Sequence, residues 1–293
     1  MTGDSSVRVA FHLPPQVLRS YFTTFYLTEI TVRDGQRVSD YLHPEWANLR
    51  IVQGALPEAR LRDEPAIAGV RAIFTGPTST TVHFSAGTSR VWGVGLLPLG
   101  WATFVGAPAN TLADRIFDAA SEPVFAPFRS LIDGVFGPEP DEQAELDRIA
   151  AHFAGRLREP LADAARIEAV HAALVDCETS GVADMAARAG LAAHTVERLC
   201  RRYFGFTPRT LLRRQRFMRS LSQYMLDPSL RWIGAMDGHY HDQAQFVRDF
   251  HLFMGMSPSE YAAQPHPVLA SVMKARQQAA GAAVQALHLP QRG

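Results

Sequence analysis

Nine arginines lie between His194 and Arg231: Arg198, Arg201, Arg202, Arg209, Arg213, Arg214, Arg216, Arg219 and Arg231. Only Glu197 and Asp227 oppose them in that stretch. The 293-residue chain has a formal net charge of zero, so the cationic character is local. A guanidinium presents a rigid fork of donors that suits phosphate oxygens and the edge of a base, so a clustered set implies a polyanionic partner. Other chemistry is thinly represented. His239 and His241 flank Tyr240, but no third ligand sits at helical spacing, so metal binding is not expected. Ser79, Thr80, Thr81 and His83 lack the Gly-x-Ser-x-Gly context of a nucleophile and read as strand or turn residues. Cys177 and Cys200, the two cysteines of the chain, read as small core residues in a reducing compartment. No catalytic residues and no cofactor are expected.

The elements that must position the arginines form a doubled pattern. Val182, Met185, Ala186 and Ala189 fall on one helix face, Gly190 supplies a tight turn, and a second helix spans roughly His194 to Phe204. That helix turns Val196, Leu199, Cys200 and Tyr203 inward and leaves His194, Glu197, Arg198, Arg201 and Arg202 outward. Gly205 closes it. Thr207 then caps a long helix from Pro208 to Leu226, with proline at the position where a missing N–H is harmless. Asp227-Pro228-Ser229 ends this rod. The scheme repeats with Leu230, Ile233, Gly234 and Gly238, then a helix from about Asp242 to Phe253 packed through Phe246, Phe250 and Phe253. Ser257-Pro-Ser-Glu260 is a capping-box pattern. Two helix-turn-helix units are predicted, each offering an outward helix face of the kind that enters a major groove.

Asp242-Gln243-Ala-Gln-Phe246-Val-Arg248-Asp-Phe250, followed by Gly255-Met-Ser257-Pro258-Ser-Glu-Tyr261, resembles the signature of the AraC/XylS family of transcription regulators. The resemblance covers about residues 163 to 262. It implies two helix-turn-helix units bridged by one long helix, with double-stranded DNA as partner. It further implies that His194, Glu197 and Arg198 in the first unit and Gln243, Val247 and Arg248 in the second contact bases, with Asp242 as helix cap. Arg201, Arg202, Arg213 and Arg214 are then assigned to phosphates, which give affinity rather than sequence choice. The chain departs from the pattern at three places. Ala192 stands where a serine cap is expected, a loss of about 1 kcal/mol of capping. Cys200 replaces an aromatic. The Gly238-to-Phe246 spacing is one residue long, so either the turn is enlarged or His239 takes the glycine position.

The rest of the chain supplies a second domain. Hydrophobic content of 47% and charged content of 20% are those of a globular protein. No apolar run is long enough to span a membrane, no signal peptide is visible, and a cytoplasmic location is expected. Residues from about 8 to 105 look mainly β: Asn48–Gln53, Thr81–Ala86, which alternates, and Arg90–Leu97, whose continuous apolar run suits a strand buried on both faces. Helices are predicted over Leu112–Ala119 and Val124–Phe136, and another from Asp141 to about Leu157.

The expected architecture is α+β in two domains. Residues 1–140 make a β-rich sandwich- or barrel-like sensor or dimerisation domain with trailing helices. Residues 141–162 are a helical linker, 163–263 the all-α DNA-binding domain, and 264–293 a tail, helical or frayed. Gly93-Val-Gly-Leu-Leu-Pro98-Leu-Gly100 and Leu112-Ala-Asp-Arg115 resemble one subgroup of the family's sensor domains. Trp46, Trp92 and Trp101 are candidates to line an effector pocket. The function expected is a sequence-specific transcription regulator controlled by a small effector, with a second copy of the chain as partner. Two alternatives stand beside it: a ligand-free regulator whose β domain only dimerises, and an enzyme with an appended helical domain.

Overall fold

The computed structural model of the protein describes residues 5–62 and 64–289. Its first half holds two antiparallel sheets. The larger has the order β1 (Ser6–His12), β2 (Phe22–Thr31), β9 (Ser89–Leu96), β4 (Asn48–Gly54), β7 (Ala72–Thr75), β10 (Ile116–Asp118). The smaller has the order β3 (Val38–Leu42), β8 (Val82–Ala86), β5 (Glu58–Leu61), β6 (Ile67–Ala68).

Side-chain alternation gives the larger sheet two distinct faces. Phe25, Leu27, Leu49, Ile51, Trp92, Val94 and Leu96 enter the main core with Phe125, Phe128 and Phe153. Their neighbours Tyr26, Thr28, Ile30, Arg50, Val52 and Val91 face a cavity that the smaller sheet closes. The β2–β9 register shifts between Phe22 and Phe25, so these two rings share the core face although three residues apart. Strand β9 is apolar on both faces because both are covered.

Short helices α1 (Pro98–Gly100) and α2 (Arg129–Gly134) follow, then α3 (Glu142–Ala154). Two expected elements differ. The helix expected over Leu112–Ala119 is replaced by a loop and β10, because Phe117 gains a buried place against Phe125 (ring centroids 5.4 Å apart) while its backbone pairs with β7. The helix expected over Val124–Phe136 begins as a 3-10 turn, Pro123–Phe128, and becomes α-helical only at Arg129; Pro127 lacks the N–H that a longer helix needs.

Asp141 caps α3 by accepting from the Ala144 amide at 3.0 Å, as its sequence suggests. The helix is no free linker, however. Ile149 and Phe153 join the main core. The buried carboxylate of Glu145 accepts from both terminal nitrogens of Arg90 (2.8 and 2.9 Å) and from Trp92 Nε1 (2.6 Å). Glu145→Ala strands the indole N–H and half of the Arg90 pairing, with Glu29 still holding Arg90 Nε. A loss of about 2 kcal/mol is expected in urea unfolding; an unchanged midpoint would refute this role.

The second half is helical: α4 (Ala164–Val175), α5 (Val182–Ala189), α6 (Ala193–Leu199, continued by a π turn to Phe204), α7 (Pro208–Leu226), α8 (Arg231–Ala235), α9 (Gln243–Met254), α10 (Pro258–Ala262) and α11 (Leu269–Ala280). Left-handed Gly190 (φ +65°) and Gly205 (φ +88°) close α5 and the α6 extension. Thr207 caps α7 through the Thr210 amide at 3.2 Å. The 19 residues of α7 make a rod of about 28 Å.

The tail folds back on the β domain. Asp40 of β3 accepts from the Val268 and Leu269 amides at 3.0 and 2.8 Å, satisfying orphan donors at the start of α11. Val268 packs with Ile30, Val32, Val38 and Ala86. Gly95, on the cavity face of β9, leaves the space that the Gln285 side chain fills; a Cβ there would overlap both Gln285 Nε2 and Thr23 Oγ1.

Candidate nucleic-acid interface and sensor cavity

In the first unit, α5 buries Met185 and Ala186 while α6 buries Val196 and Leu199. Around them gather Ile167, Val170 and Leu174 of α4 and Leu211 of α7, joined by Trp46, Leu97, Leu99 and Ala102 of the β domain. Cys200 is fully buried, and burial pushes its thiol above the usual range. Ala192 precedes α6 without a side-chain cap. The outward face carries His194 and Arg198, both exposed. Arg198 lies 3.4 Å from Asp163, and Glu197 is drawn into an ion pair with Arg201 at 2.7 Å. Arg202 is exposed, its guanidinium 5.5 Å from the Tyr203 ring centroid.

The second unit has a register that the repeat did not reveal. Trp232, rather than Ile233, turns inward: its ring stacks on Tyr224 at 3.6 Å and meets Phe250 edge-on at 4.9 Å, and its N–H donates to the Pro258 carbonyl at 3.2 Å. Ile233 is 70% exposed, whereas Ala235 is fully buried. Residues 236–242 separate α8 from α9, against 190–192 between α5 and α6, and neither Gly238 nor His239 has the left-handed backbone of Gly190, so the turn is enlarged. The turn is built by Asp237, which accepts from the His239 amide at 2.9 Å and pairs with Arg219.

On α9, Asp242 caps the helix by accepting from the Gln245 amide at 2.6 Å. Gln243 and Arg248 are exposed and Val247 is half-buried. Ser257 and Glu260 form the capping box before α10.

Of the arginines assigned to phosphates, Arg214 is held inside the protein, while Arg213 is partly exposed and paired with an acid. Arg214 is fully buried. Its guanidinium lies 4.2 Å from the Trp46 ring centroid and donates to the Thr78 carbonyl at 2.8 Å, and burial lowers its pKa to about 9. It ties α7 to the β domain. Arg213 pairs with Asp249, which is fully buried and also accepts from Arg216 at 3.1 Å and the Tyr240 hydroxyl at 3.0 Å. This acid, the knot between rod and second unit, escaped the sequence reading because Arg213 and Asp249 are 36 residues apart.

None of the three candidate tryptophans lines the cavity. Trp92 and Trp101 belong to the main core, where Trp101 Nε1 donates to the Ala107 carbonyl at 2.7 Å. Trp46 sits between the domains, edge-on to His171 and Phe204. The cavity, of about 140 Å³, lies between the two sheets, and α11 forms a further wall with Val272, Met273 and Arg276. Its polar groups form one bank. Arg50 pairs with Glu45 at 2.6 Å and reaches Thr75 Oγ1 at 3.3 Å, while the Tyr26 hydroxyl donates to Asn48 Oδ1 at 3.2 Å. A Cβ at Gly93 would overlap the Tyr26 ring, so glycine lets this ring lie on the sheet. His43, also on the wall, shares a 2.7 Å hydrogen bond with the hydroxyl of Tyr261, the signature tyrosine of the second unit. The backbone adds another link, Thr81 N donating to the Phe253 carbonyl at 2.9 Å. Among the described residues no group of three or more His, Cys, Asp or Glu is arranged to hold a metal ion. No helix among them is long and apolar enough to cross a membrane.

Residues 185–264 match a family model described as a helix-turn-helix domain, HTH_18. No curated protein matches the chain. Solved structures similar to it include ToxT from Vibrio cholerae O395, with 11% identity, 88% of this chain and 96% of that chain covered, and a TM-score of 0.40. Another is unsaturated fatty acid bound wild-type ToxT from Vibrio cholerae strain SCE256, with 11% identity, 89% and 96% covered, and a TM-score of 0.39. These are distant likenesses.

Proposed function

We propose that the chain, whose residues 185–264 match a helix-turn-helix family model, is a sequence-specific, DNA-binding transcription regulator of the AraC type whose β domain takes a small effector. The observation that carries the reading is the orientation of the two units. Their helices α6 and α9 keep His194, Arg198, Gln243 and Arg248 exposed, while the Gly205 and Phe253 ends lie against the β domain. The ends that meet bases in a helix-turn-helix are the N-terminal ones, and these are the ends left open.

His194 and Arg198 in the first unit, and Gln243 and Arg248 in the second, contact bases in this reading. Val247 adds an apolar contact, and Glu197 orients Arg201. Arg201 and Arg202 take phosphates. Arg214 does not, since its guanidinium is buried against Trp46; Arg213, partly exposed, is held by Asp249. The protein acts in the cytoplasm, as a pair of chains, without catalysis or a cofactor. A cavity containing buried polar groups favours effector control over a β domain that only dimerises. The His43–Tyr261 bond gives the effector a route to the second unit: a ligand that binds one arrangement of this contact better than another shifts DNA affinity by that difference.

Fluorescence-anisotropy titration against matched specific and scrambled duplexes tests the contact assignment. Arg198→Ala is expected to lose discrimination between the two, by about 1–3 kcal/mol at one base pair. Arg202→Ala is expected to weaken both alike and to reduce the slope of log K on log salt by about one. Equal losses of discrimination in the two variants would remove the assignment.

A further inference from the structure

The cavity contains a cation whose donors are only partly used. Arg276, on α11, is 4% exposed. Its Nη1 donates to Thr24 Oγ1 at 2.9 Å, while Nε and Nη2 have no hydrogen-bond partner among the described residues. Those two nitrogens are not a random pair. They form the side edge of the guanidinium, where two parallel N–H groups match the two oxygens of one carboxylate. Buried donors left unpaired cost free energy, so a group that lines a cavity in this state is a binding site awaiting an acceptor.

The remaining charge inside the cavity points the same way. Glu45 is the one carboxylate among the lining residues, and it is engaged by Arg50 at 2.6 Å and Asn48 at 3.4 Å. Among the described residues Arg276 makes no ion pair: Glu45, the acid that acts on it, is held by Arg50, and the Arg276 guanidinium lies 5.6 Å from the Phe11 ring centroid. One uncompensated positive charge in a buried site is balanced by one negative charge. The other walls, Ile30, Val52, Ile73, Phe84 and Val272 among them, are apolar. A volume of about 140 Å³ accommodates a ligand on the order of ten non-hydrogen atoms.

We propose that the cavity binds a small monocarboxylate with an apolar body, and that its anion-binding arm is supplied by the carboxyl-terminal tail through Arg276. This rests on the reading of the cavity as the effector site. It makes the tail a component of the sensor: α11 and the Gln285 turn follow the DNA-binding units in sequence yet complete the site in the β domain. Gln285 holds the turn in place through Ala47 O at 3.3 Å and through the space left by Gly95. A ligand on Arg276 strengthens the docking of the tail, and Asp40, Tyr261 and His266 connect that tail to the second unit.

Calorimetric titration of the full chain with octanoate and 4-ethylbenzoate, each against its neutral amide and with octyl phosphate as a second anion, tests the proposal. The carboxylates are expected to bind at least about ten-fold more tightly than their amides, because only an anion compensates the buried charge. Octyl phosphate is expected to bind less tightly than octanoate, its second charge having no partner. In Arg276→Met the preference for carboxylate over amide is expected to shrink to about two-fold or less. Arg276→Lys, which keeps the charge and loses the fork, is expected to fall between. Circular dichroism and DNA titration of each variant show whether the fold and the DNA-binding units persist. Equal binding of acid and amide by the native chain, no binding of either, tighter binding of the phosphate, or an undiminished preference in a folded Arg276→Met overturns the proposal. If DNA binding persists in any of these cases, the regulator reading stands and only the ligand assignment falls.

Discussion

Asp249→Ala is expected to destabilise the second helix-turn-helix unit by about 3 kcal/mol and to abolish its share of DNA binding. Asp249 is fully buried and receives Arg213, Arg216 and the Tyr240 hydroxyl. Removing it leaves the half-buried Arg216 guanidinium and a buried phenol without their acceptor. Tyr240 already titrates above its usual range, burial being the first cause and the neighbouring carboxylate the second. Arg213 is more exposed and regains water, which keeps the loss at the lower end of the range for broken buried pairs. Asp249→Asn retains one acceptor and is expected to lose less. Because α7 carries both arginines, the rod frees its grip on α9, and the two units no longer hold a fixed separation. Urea unfolding and a footprint on a specific duplex check this: the variant is expected to protect one groove segment where the native chain protects two. Full protection with unchanged stability would show that Asp249 is not the knot.

The second large effect is on pH. His43, His171 and His288 are all buried, and desolvation lowers their pKa values to about 3, 3 and 4. In the unfolded chain these imidazoles bind protons below about pH 6.5. Above that pH both states are neutral and the three residues add no pH dependence. Between about 6.5 and 4 the unfolded chain takes up protons that the native one refuses, so stability falls with acidification. Each histidine contributes about 1.4 kcal/mol per pH unit in that window, and the three together about 4. All three stand where the β domain meets the helices or the tail: His43 on Tyr261, His171 against Trp46 and Phe204, and His288 just past the Gln285 turn. The contact between the domains is therefore expected to give way first. Urea midpoints at pH 7.5 and 5.5 measure it, and His171→Phe is expected to remove about one third of the share that these three histidines contribute. A midpoint indifferent to pH over this range would contradict it.

The helical half was legible because its signals are local. Gly190, Thr207-Pro208, Asp242 and Ser257-Pro-Ser-Glu260 mark ends that lie within a few residues of what they cap, and each cap is present. In the second unit bulk overrides the repeat: Trp232 is the larger apolar residue and takes the inward place that the repeat gives to Ile233. The burial of Arg214 and the pairing of Arg213 are hidden from the sequence for another reason. Their partners, Asp249, Trp46 and Thr78, lie 36 to 168 positions away, and only the tertiary structure brings them together. The cavity was the least legible part. Its walls come from five strands of one sheet, three of the other and the tail, and the tryptophans chosen for it are large enough to be claimed by the cores instead. The glycines of Gly93-Val-Gly95 stand out in the sequence, but their task, making room for Tyr26 and Gln285, follows only from the cavity face.

Selection of duplexes from a random-sequence pool by the native protein puts the central claim to its most direct trial. Two linked recognition helices predict enriched duplexes that share two short blocks, centred about one helical turn apart. A pool that shows no enrichment, or one that converges on a single block unaffected by changes in α9, would contradict the account.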